Sequence, residues 1–197
     1  MIKEATIIAG LVCCLGGEIA QAQPADCLTT INAKLPLKVT FDDGSTIVAL
    51  ERTKDNLRSE AKLSDGRKTD GSTYQGLFPL TRQVPSGTLR FNWTPDLAQF
   101  FPLKVGTHIV ADASVLLPGN NRARTYATEM SVLAEETLRI GGCDYPVFKI
   151  EVSSRLDQGF VSDKAIHYHH AASMLTLRTL TPTTPPEVVE RRAIRIE

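Results

Sequence analysis

The sequence carries no excess charge of either sign, because 22 Lys and Arg residues balance 22 Asp and Glu residues in a chain of 197. No segment concentrates the Lys and Arg side chains that binding to nucleic-acid phosphates requires. Beyond residue 22, no apolar run reaches the roughly 18 residues of a membrane-spanning helix. We therefore expect no nucleic-acid partner, and no transmembrane segment in the chain after residue 22.

A motif for nucleophilic catalysis is also missing, since the chain contains no Gly-x-Ser-x-Gly elbow. The carboxylate pairs Asp42-Asp43 and Glu135-Glu136 are adjacent in sequence. On a strand, adjacent side chains point to opposite faces, so neither pair resembles the facing carboxylates of a glycosidase. We expect no enzymatic activity and assign no cofactor.

The first 22 residues have the pattern of a signal peptide. Lys3 precedes an apolar stretch at residues 5–17, and Ala20-Gln21-Ala22 has the small-x-small pattern of a cleavage site. The alternative is a permanent N-terminal anchor, although the apolar stretch is short for a membrane span. We predict cleavage near Ala22 and export to the periplasm or the cell exterior.

Cysteine is scarce, and two of the four cysteines, Cys13 and Cys14, fall in the predicted signal peptide. The remaining two, Cys27 and Cys143, allow a single pairing. In an oxidising compartment we expect them to form a disulfide. The alternative is two free thiols.

Most of the chain after residue 36 alternates between apolar and polar residues. Leu37, Val39 and Phe41 fall on one face of a short strand, and Asp42-Asp43-Gly44 then forms a turn. Further strands are predicted at residues 47–50, 57–63, 73–78, 88–93, 107–117, 124–133, 137–140, 146–152, 165–168, 174–180 and 188–196. Helical patterns are confined to residues 25–35 and to residues 95–101, where Thr94 is the candidate N-cap.

Many short strands separated by Gly, Asp and Pro turns predict an all-β fold with minor α content. We expect a curved antiparallel sheet that forms a closed or half-open barrel, and a two-sheet β-sandwich is the alternative. Residues 23–180 are predicted to form this single domain. Residues 181–197 are predicted to be a Pro/Thr-rich connector followed by an edge strand or tail, with Arg191, Ala193 and Arg195 on one face. Such an edge suits pairing with a protein partner or, alternatively, prevents aggregation.

Three motifs occur in a characteristic order between residues 57 and 180. They are Asp65-Gly66-Arg67, the Phe-Pro-Leu-Lys-Val-Gly segment at 101–106, and the Gly-Gly-Cys to Ile-Glu segment at 141–151. In this order the chain resembles an uncharacterised family of exported bacterial domains of unknown function, whose β-sheet is likened to that of lipoprotein carriers. A later Trp-Tyr followed by Pro is replaced here by His-Tyr-His-His. The resemblance implies a curved antiparallel sheet around an apolar interior, with no established catalytic residues.

Two histidines form the most specific polar pattern. His167 and His169 are two apart on a predicted strand and therefore share a face, which supplies half of a transition-metal site. The third ligand would have to be His108, Asp112, Asp163 or His170. The alternative is a polar strand end packed around Tyr168.

An aromatic segment is the second candidate site. Phe91, Trp93, Phe100 and Phe101, together with Tyr168 further along the chain, are predicted to contact a hydrophobic ligand. The alternative is that they are ordinary core residues.

These patterns together predict a non-catalytic exported protein that binds an apolar, lipid-like or envelope-derived ligand, or an envelope protein partner. One alternative is a structural or interaction protein of the cell envelope with a packed interior. Another is a metal-binding protein or metalloenzyme that uses His167 and His169.

Overall fold

The computed structural model of the chain describes residues 27, 34–119, 123–156, 163–183 and 187–197. The predicted signal peptide, and most of the predicted 25–35 helix, lie outside the described residues. Within them, twelve strands are formed, namely β1 Leu37–Phe41, β2 Thr46–Arg52, β3 Asn56–Lys62, β4 Lys68–Tyr74, β5 Phe78–Val84, β6 Gly87–Thr94, β7 His108–Leu116, β8 Ala123–Ile140, β9 Cys143–Leu156, β10 Asp163–His170, β11 Leu175–Pro182 and β12 Val188–Ile196.

The twelve strands close into an antiparallel barrel. Each strand pairs with its neighbours in the chain, and β1 also pairs with β12, where Val39 lies opposite Ile196. Closure leaves the sheet without an open edge. The predicted barrel is therefore confirmed, and the two-sheet sandwich is wrong. The curved antiparallel sheet implied by the family resemblance is confirmed as well.

Strict alternation of buried and exposed residues explains how these sequences build the wall. On β7, Ile109, Ala111, Ala113 and Val115 are buried, whereas the residues between them are exposed. Successive side chains of a strand point to opposite faces, so one face of β7 meets the core and the other meets solvent. Most of the buried apolar side chains in the described residues belong to two clusters, one around Phe41 and one around Phe78.

The long β8–β9 hairpin extends one side of the barrel. The pairing of β8 with β9 shifts between Val132 and Ala134, which leaves Leu133 as a bulge. Beyond this bulge, Leu138 and Tyr145 join the cluster that contains Phe41. The tip of the hairpin carries Cys143, which forms the predicted disulfide with Cys27.

Turns pack together at the end of the barrel where β1 begins, which we call the base. The Gln75 amide in the β4–β5 turn donates to the Asp55 carbonyl, at 2.7 Å. Arg52 Nη1 donates to the Ala172 carbonyl in the β10–β11 turn, at 3.1 Å. These contacts, one between backbone groups and one from a side chain, link three separate hairpins at the base.

Two sequence predictions need correction. The terminal strand β12 is not an edge strand, because β11 and β1 pair with it on its two sides. The 95–101 window contains only a four-residue 3₁₀ helix, Leu97–Phe100. Its N-cap is Asp96 instead of Thr94, since the Asp96 carboxylate accepts from the Ala98 amide at 3.0 Å. No helix in the described part of the chain is long and apolar enough to span a membrane.

The disulfide should contribute substantially to stability because it closes a long loop. Cys27 and Cys143 are 116 residues apart, and cross-links of that span reduce the entropy of the unfolded chain. We expect the double variant Cys27→Ala/Cys143→Ala to lose about 2 to 5 kcal/mol of unfolding free energy in urea titrations. Reduced wild type should show the same midpoint as the variant. If the double variant and the reduced wild type both unfolded at the same urea concentration as the oxidised wild type, the disulfide would not have this role.

Gly76 should tolerate substitution much less well than Gly44. Both are turn glycines with positive φ, +72° and +80°. A Cβ at Gly76 would overlap the Met174 carbonyl, whereas one at Gly44 would meet nothing within 4 Å. We expect Gly44→Ala to cost about 1 to 2 kcal/mol from the positive φ alone, and Gly76→Ala to cost about 2 kcal/mol more. Equal costs in urea denaturation would show that the β4–β5 turn is not packed against Met174.

Candidate functional site

A cavity of about 540 Å³ occupies the lumen of the barrel. Thr73 on β4 and His167 on β10 both line it, although these strands are six positions apart in the ring of twelve. Residues from opposite sides of the ring share a cavity only when that cavity spans the interior. Its lining consists of Asp43, Ile47, Leu57, Ser59, Thr73, Gly76, His167, Met174, Leu175, Thr176, Thr179, Thr181, Val189 and Arg191.

The two ends of this cavity differ in exposure. At the base, Met174 and Leu175 are buried, with 6% and 3% of their surface accessible. At the opposite end, Thr181 is exposed and Val189 is 57% accessible. In the described residues, the cavity therefore has an apolar floor at the base and an exposed rim, which we call the mouth.

Arg191 brings a positive charge into the lumen. It pairs with Thr179 across β11 and β12, and its guanidinium lies over the Phe41 ring, 4.2 Å from the centroid. Burial lowers the pKa of Arg191, and the charges of Asp43 and Asp42 oppose this shift. An arginine remains protonated under such a perturbation, so the lumen holds a fixed cation.

Asp43 lies near the mouth and is held by its own turn. Its carboxylate accepts hydrogen bonds from the Ser45 amide, at 2.8 Å, and from the Ser45 hydroxyl. Burial alone would raise the pKa of Asp43, but the Ser45 hydrogen bonds and the Arg191 charge lower it below the usual value. Asp43 is therefore ionised at neutral pH, and its carboxylate already accepts hydrogen bonds from Ser45 in the same turn.

A second cavity, of about 220 Å³, adjoins the first at His167. Trp93 and Tyr126 line it, and their rings meet edge to face with centroids 5.7 Å apart. The Trp93 indole N–H donates to the Pro79 carbonyl at 2.7 Å, which fixes the ring in place. His167 thus lies on the wall that the two spaces share.

The predicted aromatic site is only partly assembled. Trp93 faces the smaller cavity, and Phe91 reaches it through an edge-to-face contact with Tyr126. Phe100 and Phe101 pack against the cluster around Phe78. Ring contacts and shared packing connect these residues, and of the four Trp93 lines the smaller of the two cavities described.

Tyr168 lies elsewhere. It belongs to the cluster around Phe41, is 4% accessible, and packs between Lys149 and Arg178 at 5.8 and 4.8 Å from its ring centroid. It does not line either lumen cavity. Its assignment as a ligand contact therefore finds no support in the geometry.

The histidines near the end of β10 occupy three different environments. His167 lines both cavities, His169 is fully buried beneath the β4–β5 turn, and His170 Nδ1 lies 2.8 Å from Ser173 Oγ. Burial, reinforced by the Arg191 charge, lowers the pKa of His167 to about 4. Burial, reinforced by its histidine neighbours, lowers the pKa of His169 to about 3. Both rings are neutral at physiological pH.

The other candidate metal ligands lie apart from this pair. His108 is exposed on β7 beside Ser131 and Glu129, and Asp112 is exposed on the same strand. The side chain of Asp163 lies outside the described residues. Among the residues that the structure describes, no three His, Cys, Asp or Glu side chains come together as a metal site.

The sequence contains one Ser-x-x-Lys spacing, a pattern found in some serine enzymes. Ser59-Glu60-Ala61-Lys62 matches Ser-x-x-Lys, but it lies on strand β3. Residues three apart on a strand project to opposite faces, so Lys62 cannot act as a base for Ser59. Ser59 lines the lumen and Lys62 does not.

Arg191 is the lumen residue that sequence reasoning misplaced. It was assigned to an exposed edge with Ala193 and Arg195. Ala193 is 2% accessible and lies opposite Phe41 in the barrel wall, so the face that Arg191 shares with it points inward. The available sequence signal was the apolar Ala193, which is two residues away and therefore shares the face of Arg191.

No family model and no curated protein sequence matches this chain. Among solved structures, the hypothetical lipoprotein YmcC from Escherichia coli K12 is similar, with a TM-score of 0.45 and 14% identity over 81% of this chain and 82% of that one. A protein described as exported, with a YmcC-like fold, from Bacteroides fragilis has a TM-score of 0.44 and 13% identity over 83% and 96% of the two chains.

Acidification should destabilise the fold through the two neutral histidines. Unfolded histidine has a pKa near 6.5, whereas the pKa values in the folded protein are about 4 for His167 and about 3 for His169. Unfolding therefore takes up protons below pH 6.5, so stability is complete above that pH and falls as the pH drops toward 4. We expect a loss on the order of 2 kcal/mol per histidine between pH 7 and 4.5 in urea titrations.

Substitution separates this effect from general acid denaturation. His167→Gln should flatten the pH dependence of the unfolding free energy, because its side chain takes up no proton in this range. His108→Gln, at an exposed position on β7, serves as the matched control and should leave the slope unchanged. Identical slopes for all three proteins would contradict the assignment.

Proposed function

We propose that this protein is a non-catalytic, exported binding protein whose barrel lumen holds an apolar or amphiphilic ligand from the cell envelope. The observation that carries the proposal is the lumen cavity of about 540 Å³. Ligand sites in proteins typically measure about 300 to 1,000 Å³, and this cavity falls within that range.

The size of the cavity favours binding over a purely structural role. Protein interiors are close-packed, with few voids larger than a water molecule. A barrel that served only as a scaffold would gain stability by filling its interior with larger side chains. Here Ser59, Thr73, Thr176 and Thr179 face the lumen, and these small residues leave the space open.

The lining matches an amphiphile better than a fully polar ligand. Leu57, Met174 and Leu175 line the buried portion, while Thr181 and Arg191 lie toward the mouth. An apolar chain seated against the floor gains roughly 0.8 kcal/mol per buried methylene group. The hydroxyl groups and the guanidinium remain available for a polar headgroup.

Two features support an extracytoplasmic location. The Cys27–Cys143 disulfide suits an oxidising compartment, and the first 22 residues carry the pattern of an export signal. We place the protein in the periplasm or outside the cell. A ligand drawn from the envelope would be accessible there.

Filling the lumen should abolish binding without unfolding the barrel. Thr179 lines the cavity, whereas Thr137 is exposed on β8. We expect wild type to bind the uncharged fluorescent probe N-phenyl-1-naphthylamine at about one site per chain, and Thr179→Phe to weaken binding at least about tenfold by occupying the space. Thr137→Phe, the matched control, should bind as wild type does.

Native mass spectrometry of protein purified from the exporting cell supplies the second measurement. A retained lipid-sized mass supports the proposal. A stoichiometric metal would favour the histidine-centred alternative. A bare chain that also fails to bind the probe would contradict the proposal.

A further inference from the structure

Arg191 carries a positive charge inside the lumen, and the nearby carboxylates do not form an ion pair with it. Arg191 feels the charges of Asp43 and Asp42, yet among the described residues no carboxylate forms an ion pair with its guanidinium. Asp43 is occupied by Ser45, and the Asp42 carboxylate accepts from the Arg192 amide at 3.0 Å. Arg191 Nε is buried and has no hydrogen-bond partner in the protein. Arg191 as a whole is only half-buried and lines the cavity, so a ligand in the lumen can supply an acceptor to the accessible part of its guanidinium.

The orientation of Arg191 leaves its donors free. Phe41 covers one face of the guanidinium through the cation–π contact at 4.2 Å. This contact restrains the guanidinium, whose N–H donors form a planar fork. A guanidinium fixed in this way presents a flat fork that matches the geometry of carboxylate or phosphate oxygens.

Hydroxyl groups flank this fork. Thr179 lies directly opposite Arg191 in the β11–β12 pairing, and Thr181 lies two residues nearer the mouth. Both line the cavity. They can donate to an anion bound at Arg191, and they add no negative charge that would repel it. His167, the neutral ring nearby on β10, adds no negative charge either.

Below Arg191 the cavity becomes apolar. Leu57, Met174 and Leu175 are buried at its floor. Toward the mouth the lumen thus presents the Arg191 cation, hydroxyl groups and the Asp43 carboxylate, which is hydrogen-bonded to Ser45. Toward the base it presents hydrocarbon. A ligand that satisfies both regions has one anionic end and one apolar chain.

We infer that the lumen selects anionic amphiphiles, whose carboxylate or phosphate headgroup is bound by Arg191 while the chain extends toward the base. This inference rests on the proposed binding function and specifies its ligand class. A charge-assisted hydrogen bond at a partly buried site should favour the anion over a neutral analogue by about ten- to a hundredfold in affinity.

The test compares headgroups on one hydrocarbon chain. Oleate, oleoyl lysophosphatidate and uncharged oleyl alcohol are titrated, below their aggregation concentrations, against N-phenyl-1-naphthylamine bound to the full mature chain at pH 8. We expect at least one of the two anions to displace the probe from wild type at about ten- to a hundredfold lower concentration than oleyl alcohol does. Which anion does so distinguishes a carboxylate from a phosphate headgroup.

Arg191→Gln should remove this preference, measured within each protein as the ratio of the oleyl alcohol and anion concentrations that displace the probe. Arg195→Gln is the matched control, because Arg195 is 71% accessible and does not line the cavity. It should retain the wild-type preference. Arg191→Lys keeps the charge but lacks the planar guanidinium, so we expect an intermediate preference for the anion. This variant replaces Arg191→Gln if the Gln variant fails to fold.

The outcomes separate the inference from the proposed function. Equal displacement by all three compounds from wild type would overturn the anionic selectivity while leaving the lumen as a binding site. A preference that stays at the wild-type level in Arg191→Gln, or in Arg191→Lys where the Gln variant does not fold, would overturn the role of Arg191. Failure of wild type to bind the probe or any amphiphile would overturn the proposed function and this inference together.

Discussion

Hydrogen bonds between β1 and β12 join the two ends of the sheet. The Lys38 amide donates to the Glu197 carbonyl at 2.7 Å, and the Glu197 amide donates back to the Lys38 carbonyl at 2.9 Å, across a separation of 159 residues. Without this pairing the sheet would have two open edges, and its curvature would not be fixed. The lumen, the position of Arg191 over Phe41 and the shared wall at His167 all depend on this closure.

Local patterning predicted the bounds of some strands well. The predicted ranges 37–41 and 188–196 coincide with β1 and β12. Strands β4 and β5 were not separated, because Gln75 and Gly76 form a tight turn with positive φ inside the predicted 73–78 strand. Two predicted strands merged into β8, since the Leu133 bulge lets one continuous strand bend while its pairing with β9 resumes beyond it.

The site was less predictable than the wall, because a lumen exists only after distant strands meet. Trp93 was recognised from its aromatic neighbours, and Cys27 and Cys143 from simple pairing. Arg191 was assigned to the wrong surface because a charged residue on a terminal strand ordinarily faces water. Only the ring geometry, which brings β12 against β1, turns that side chain inward. Tyr168, which the sequence assigns to ligand contact, packs in the cluster around Phe41 and lines neither lumen cavity.

The disulfide joins Cys27 to the tip of the β8–β9 hairpin, at the end of the barrel where β1 begins. Cys27 is thereby held on the side away from the exposed rim at Thr181 and Val189. An affinity tag or a surface attachment placed before Cys27 would immobilise the molecule with its opening directed outward. Cargo could then enter and leave without passing the point of attachment.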